Sequence, residues 1–150
     1  MTVFTSQSVR DALARAGLLV EVRGSLPESL TGITDDSRQV SAGSLFVAVR
    51  GTARDGHDFL PALADRAGAA IVEDASRTTL PAFVVSDARR AAPIAAAIAY
   101  GMPASRLRLV GVTGTNGKTT TVGMLRHLLD DRPCATQVGT VHLHNVSRIP

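Results

Sequence analysis

Three short apolar runs constrain this 150-residue chain most: SLFVAV at Ser44–Val49, AAIV at Ala69–Val72 and AFVV at Ala82–Val85. Each is short, rich in β-branched or small apolar residues, and bounded by turn-forming residues, as buried strands are. Between and after them lie stretches with helical spacing. His57–Ala67 places Phe59, Leu60, Leu63 and Ala67 on one face, and Asp87 can cap a helix that runs to about Tyr100 before Gly101-Met-Pro103. Alternating strands and helices imply an α/β fold with a parallel or mixed sheet. Upstream, Ser6–Leu18 reads as a helix capped by Ser6 or Ser8, with Val9, Leu13 and Ala16 on one face. Thr31–Thr34 reads as a short strand and Gly51–Gly56 as a polar loop.

A second unit is expected behind the Gly101–Ser105 linker. Leu107–Val112 reads as a strand that enters a Gly-rich turn, Lys118–Leu129 as the helix after it, and Cys134–Val141 as the next strand. The expected division is a small α/β domain over residues 1–102 and the first β-loop-α-β of another over 106–150.

The turn, GVTGTNGKTTT, carries the most specific chemistry. The common nucleotide pattern G-x-x-x-x-G-K-[ST] fails by one position, because Val112 stands five residues before Gly117. The physical ingredients remain. Gly114 and Gly117 permit backbone conformations closed to other residues, so successive N–H groups can face an anion. A helix starting at Lys118 aims its positive end at the same point. Lys118 can bridge the outer phosphates of a nucleotide, and the Thr119 hydroxyl can bind Mg²⁺. The basic residues agree: of sixteen Lys and Arg, fifteen are Arg, and Lys118 is the single lysine. A compact ammonium suits this position better than a planar guanidinium.

Other features exclude more than they assign. The net charge of +3 is dispersed and aromatics make up 3%, so no basic, aromatic-interleaved face for nucleic acid is expected. Cys134 is alone, so neither an internal disulfide nor a cysteine metal cluster can form. The N-terminus lacks a signal-peptide pattern and Ala91–Ala99 is too short to span a bilayer. A cytoplasmic protein that contacts neither membrane nor nucleic acid is expected. On the residues alone, Asp36-Ser37-Arg38 reads first as a local turn held by side-chain-to-backbone bonds.

At this point the motifs resemble a known family. GVTGTNGKTTT is similar to the ATP loop of the Mur ligases, which build the peptide of peptidoglycan. The stretch from Asp35 to Val72, DDSRQVSAGSLFVAVRGTARDGHDFLPALADRAGAAIV, resembles their N-terminal UDP-binding domain. The linker from Tyr100 into the Gly-rich turn, and VGTV at 138–141, look more like the MurE type than the MurF type, although Ala104 interrupts a Tyr-x-x-Pro-Ser pattern. The resemblance implies ATP-dependent addition of a third amino acid, meso-diaminopimelate or L-lysine, to UDP-N-acetylmuramoyl-L-alanyl-D-glutamate through an acyl phosphate. It implies that Gly114, Thr115, Asn116, Gly117, Lys118, Thr119 and Thr120 contact ATP, with Lys118 catalytic and Thr119 on Mg²⁺. It also implies that Asp35, Ser37, Thr52, Ala53 and Arg54 hold the UDP moiety, while His57, in an Asp-Gly-His segment, packs rather than reacts. The family's metal-binding carboxylates, carbamylated lysine and C-terminal domain have no counterpart after Asp131, where Asp and Glu cease. The chain therefore reads as the front piece of a ligase, inactive alone, with a non-catalytic UDP-binding module or a MurF-type fragment as the alternatives.

Overall fold

The computed structural model describes residues 3–51, 54–106 and 110–129. The three apolar runs form β5 (Leu45–Val47), β6 (Ala69–Val72) and β7 (Ala82–Val85), and every residue in them is buried. Burial throughout requires cover on both faces of the sheet. The alternation of side chains shows how that cover is divided. Leu45, Val47, Ala69, Ile71, Phe83 and Val85 join one core cluster. Phe46, Ala48, Ala70, Val72, Ala82 and Val84 join the other.

Five strands make the main sheet, in the order β2-β7-β6-β5-β4. β4 (Ile33–Thr34), β5, β6 and β7 run parallel, and β2 (Leu19–Arg23) closes one edge antiparallel to β7. A separate antiparallel pair joins β1 (Phe4–Thr5) to β3 (Ser29–Leu30). The first core cluster holds Val9 and Leu13 from α1 (Ser6–Arg15) and Ala88, Ala91, Ala95 and Ala99 from α2 (Ala88–Ala99). The second holds Leu60 and Leu63 from a 3₁₀ segment, Gly56–Leu63.

Several boundaries differ from the sequence-based expectation. Thr5, not Ser6 or Ser8, caps α1, by accepting from the Ser8 N–H at 3.2 Å. The helix ends at Arg15 rather than Leu18 because Gly17 adopts φ +68°. Leu18 N–H then reaches back to Leu13 O and Gly17 N–H to Ala14 O, each at 3.0 Å, which satisfies orphan carbonyls at the helix end. The chain is thus released at once into β2, which was not foreseen. The same lock closes α2, where Met102 N–H bonds Ala97 O and Gly101, at φ +72°, bonds Ile98 O.

The expected helix at His57–Ala67 is a 3₁₀ segment instead. Pro61 lies inside it and has no N–H to give to an α ladder. His57, Leu60 and Leu63 are buried at a spacing of three, the period of the tighter helix.

The chain divides into two compact units, Met1–Leu107 and Arg108–Pro150. In the second, α3 spans Lys118–Leu129 as expected. Of the strand expected at Leu107–Val112, residues 107–109 lie outside the described residues and Val110–Val112 carry no strand pairing. The strand expected at Cys134–Val141 also lies outside them.

Candidate functional sites on two loops

Four parallel strands end at one edge of the main sheet, so the loops that follow them converge there. In open α/β sheets, ligands bind beyond the carboxyl ends of the strands. Two of these loops follow neighbouring strands, β4 and β5, and carry the residues singled out by sequence.

The loop after β4 begins at Asp35. Asp36 is consumed by the turn itself. Its Oδ1 accepts from Arg38 N–H at 3.0 Å and Arg38 Nε at 2.9 Å, and its Oδ2 accepts from Arg38 Nη2 at 2.8 Å. Gln39 Nε2 also donates to it at 3.2 Å. The Arg38 hydrogen bonds hold the Asp36 carboxyl far below the usual carboxylate range, and Asp36 in turn raises Arg38. The local-turn reading therefore describes Asp36 and Arg38. Asp35 stays exposed and Ser37 half-buried, and neither side chain makes a hydrogen bond among the described residues.

The loop after β5 runs from Val49 to Asp55. Thr52 and Ala53 lie outside the described residues. The loop closes on itself through Gly51 N–H to Arg54 O and Gly56 N–H to Val49 O, both at 2.9 Å. A Cβ on Gly56 would stand 2.7 Å from Val49 N and O, so only glycine fits this approach. Arg50 Nε reaches Glu73 at 3.3 Å and Asp55 at 3.8 Å. Asp55 also accepts from His57 N–H at 3.0 Å, His57 Nδ1 at 2.7 Å and Arg77 Nη1 at 2.9 Å. The His57 backbone and ring bonds, reinforced by Arg77, lower the Asp55 carboxyl to about 2. Arg54 is exposed, and its guanidinium has no partner among the described residues.

Side chains on the neighbouring loops are engaged with one another. Glu73 Oε1 accepts from Ala88 N–H at 2.9 Å, and Asp87 accepts from Arg90 N–H at 2.9 Å. The positive end of α2 is thus already occupied by two carboxylates. Asp74 accepts from Ser76 N–H and Oγ, which lower its pKa, and Arg77 reaches Asp58 as well as Asp55. This mesh of Arg50, Glu73 and Arg77 was not foreseen from sequence; the only signal was Glu73-Asp74 directly after an apolar run. Among the described residues of the two loops after β4 and β5, the charged side chains of Asp35 and Arg54 and the hydroxyl of Ser37 remain without a hydrogen-bond partner. No buried side-chain nitrogen or oxygen among the described residues is left unbonded.

Among the described residues, this unit has at least two hollows. The smaller, about 310 Å³, adjoins the loop after β4 through Thr34 and Gln39 and extends to Ala99 and Tyr100. The larger, about 430 Å³, lies against Thr5, Arg10 and Glu28, away from all the residues predicted to bind. Available polar groups, not volume, therefore locate the candidate site at the strand ends.

In the second unit, Gly114 and Gly117 adopt φ +149° and +76°, and nothing lies within 4 Å of where a Gly117 Cβ would be. Residues 113–120 are exposed. Helix α3 opens with Thr121 N–H on Gly117 O at 2.9 Å, so the preceding amides have no partner within the helix. Lys118 Nζ folds back onto the carbonyl oxygens of Gly114 and Thr115. Left-handed glycines, open amides and one flexible ammonium fit the outer phosphates of a nucleotide. The Thr119 hydroxyl is exposed in the same first turn, where an oxygen ligand for Mg²⁺ would be needed.

Comparisons with known proteins agree across both units. The profile of the "Mur ligase family, catalytic domain" matches residues 29–110, and that of the "Mur ligase middle domain" matches 112–147. The UDP-N-acetylmuramoyl-L-alanyl-D-glutamate--2,6-diaminopimelate ligase of Geobacter metallireducens is 47% identical over 120 residues, 78% of this chain and 24% of that protein. The UDP-N-acetylmuramyl-tripeptide synthetase of Roseiflexus sp. is 52% identical over 97 residues, 61% of this chain and 19% of that one. Among solved structures, MurF from Acinetobacter baumannii matches with a TM-score of 0.61 and 27% identity, over 86% of this chain and 28% of that one. The chain spans about a quarter of the length of such relatives. With the first profile alone covering more than half of the sequence, the chain belongs to the Mur ligase family.

Proposed function

We propose that this chain is the front portion of a MurE-type ligase, which uses ATP to join a third amino acid to UDP-N-acetylmuramoyl-L-alanyl-D-glutamate in peptidoglycan synthesis. Residues 1–102 would form its UDP-binding domain and 106–150 the start of its ATP-binding domain. The observation that carries this reading is identity of 42–47% to diaminopimelate-adding ligases over 78% of the chain, more than either unit spans alone. The solved MurF structures favour a second reading, a MurF-type ligase, but at 27% identity they support it less.

In the first unit, the Arg54 guanidinium would pair with the diphosphate, and Ser37 and Asp35 would hydrogen-bond the nucleoside. Thr52 and Ala53, in the same sequence segment, would belong to the UDP-holding positions. In the second, the amides of Gly114–Thr120 would cradle ATP, Lys118 would neutralise its outer phosphates, and Thr119 would ligate Mg²⁺. ATP supplies the phosphoryl group that activates a substrate carboxylate for attack by the incoming amine. The chain's own part in that chemistry is to bind, orient and stabilise charge.

Lys118→Ala is expected to weaken ATP binding roughly tenfold to a hundredfold, since a charge-assisted hydrogen bond is worth about 1.5–3 kcal/mol. Calorimetry on a ligase carrying this chain together with the remaining length of its relatives checks this, and unchanged affinity counts against the ATP assignment. In the same protein, ADP release should require the dipeptide substrate plus diaminopimelate or lysine. Release driven by D-alanyl-D-alanine instead would establish the MurF-type reading.

A further inference from the structure

His57 takes no part in the proposed chemistry, yet its side chain is fully buried and both ring nitrogens are engaged. Nε2 lies 3.0 Å from Glu73 N and 3.4 Å from Asp74 N. A backbone N–H can only donate, so Nε2 is the bare acceptor. The proton therefore sits on Nδ1, which donates to Asp55 Oδ1 at 2.7 Å. One ring thus fastens the end of the loop after β5 to the start of the loop after β6. The other end of the same loop is fastened by Arg50, which reaches Glu73 at 3.3 Å and whose carbonyl oxygen accepts from Arg89 Nη2 at 2.7 Å. Gly56 lets the fastened end lie flat on Val49. Between the two fastenings stands Arg54, directly before Asp55, with an exposed side chain.

We propose that His57 is a positioning residue: by tying Asp55 to the Glu73 amide, it holds the Arg54–Asp55 end of the loop so that Arg54 is set in advance for the diphosphate of the sugar nucleotide. This rests on the reading of these loops as the UDP site. Ordering a loop before binding removes that entropy loss from the binding step, which is how a buried side chain can raise affinity without touching ligand. The effect is specific in kind. A histidine that only packed would lower thermal stability and leave discrimination between ligands unchanged. A histidine that sets Arg54 affects ligands that carry a diphosphate and spares those that do not.

The test is calorimetry of the 150-residue chain with UDP and with uridine. His57→Asn keeps a donor near Asp55 but cannot reach the Glu73 amide, whereas His57→Gln can place an amide oxygen where Nε2 stands. His57→Asn is expected to weaken UDP binding about threefold to tenfold, leave uridine binding unchanged, and add nothing in an Arg54→Ala background. His57→Gln is expected to restore most of the UDP affinity. UDP binding that falls with Arg54→Ala but not with His57→Asn overturns this proposal alone. Absence of UDP binding by the unsubstituted chain overturns the underlying reading of the site, and this proposal with it. Should His57→Asn not fold, hydrogen exchange on the unsubstituted chain decides. UDP should slow exchange of the Glu73 amide more than uridine does, because coupling between site and fastening is reciprocal. Equal slowing by the two ligands overturns the proposal.

Discussion

At the scale of single residues, the proposed binding positions and the residues that shape their loops are neighbours with different hydrogen-bonding duties. Asp36 closes its turn and leaves Asp35 and Ser37 available; Asp55 is spent on His57 and Arg77 and leaves Arg54 available. Types and order of these residues were legible in the sequence. So was the turn role of Asp36 and Arg38, which is local; the engagement of Asp55 was not, because Glu73 and Arg77 reach Arg50, Asp55 and Asp58 only once β5 and β6 are paired. Gly56→Ala is expected to destabilise the fold by about 1–3 kcal/mol, the usual range for forcing extra atoms against fixed ones, here the Val49 backbone at 2.7 Å. A shift of the denaturation midpoint would register it; an unchanged midpoint would mean that the loop can re-seat.

The same residues set the behaviour in acid. Asp36 and Asp55 have carboxyls lowered in the fold from the ordinary value of 3.8, Asp55 to about 2. A lowered carboxyl stabilises the fold while ionised, so its contribution is complete above about pH 4 and disappears as pH falls through the folded value. Melting temperature should therefore drop between about pH 4 and pH 2. Asp55→Asn should flatten that part of the profile, and a profile as steep as that of the unsubstituted chain would contradict the assignment.

At the scale of elements, inner strands were the easiest to read. β6 and β7 occupy the expected residues because a strand covered on both faces has an uninterrupted apolar sequence. β2 escaped because it is an edge strand whose residues beyond Leu19 are exposed, and no core pattern marks it. Helix bounds were legible where a polar cap and a Gly-Met-Pro stop frame them, as in α2, and misread where Gly17 ended α1 early. The 3₁₀ segment shares its apolar positions with an α reading, and Pro61 alone signalled the difference. Asp87→Ala should destabilise by about 1 kcal/mol through loss of the α2 cap. Thermal unfolding checks it, and a loss well below that would show that Glu73, on Ala88 N–H at 2.9 Å, caps the helix sufficiently alone.

At the scale of the whole molecule, topology shows how the proposed binding residues, far apart in sequence, come to lie on one edge of the sheet. Parallel strands β4 and β5 are adjacent, so the loops that carry Ser37 and Arg54 leave the same edge. The alternation of strands and helices made that edge foreseeable, and Asp87 was legible as the α2 cap, but that Glu73 joins it on Ala88 N–H was not. In the second unit the Gly-rich loop was legible because its backbone requirements are local; both glycines adopt the positive φ that the motif implies. The two family profiles fall one on each side of Gly111, near the division between the two units.

Titration of UDP into isotope-labelled chain, followed by amide NMR, addresses the first unit most directly. Saturable shifts confined to Asp35–Gln39, Gly51–His57 and the adjoining strand ends are the expected result. Shifts centred instead on the hollow beside Thr5, Arg10 and Glu28, or none at millimolar nucleotide, would contradict it.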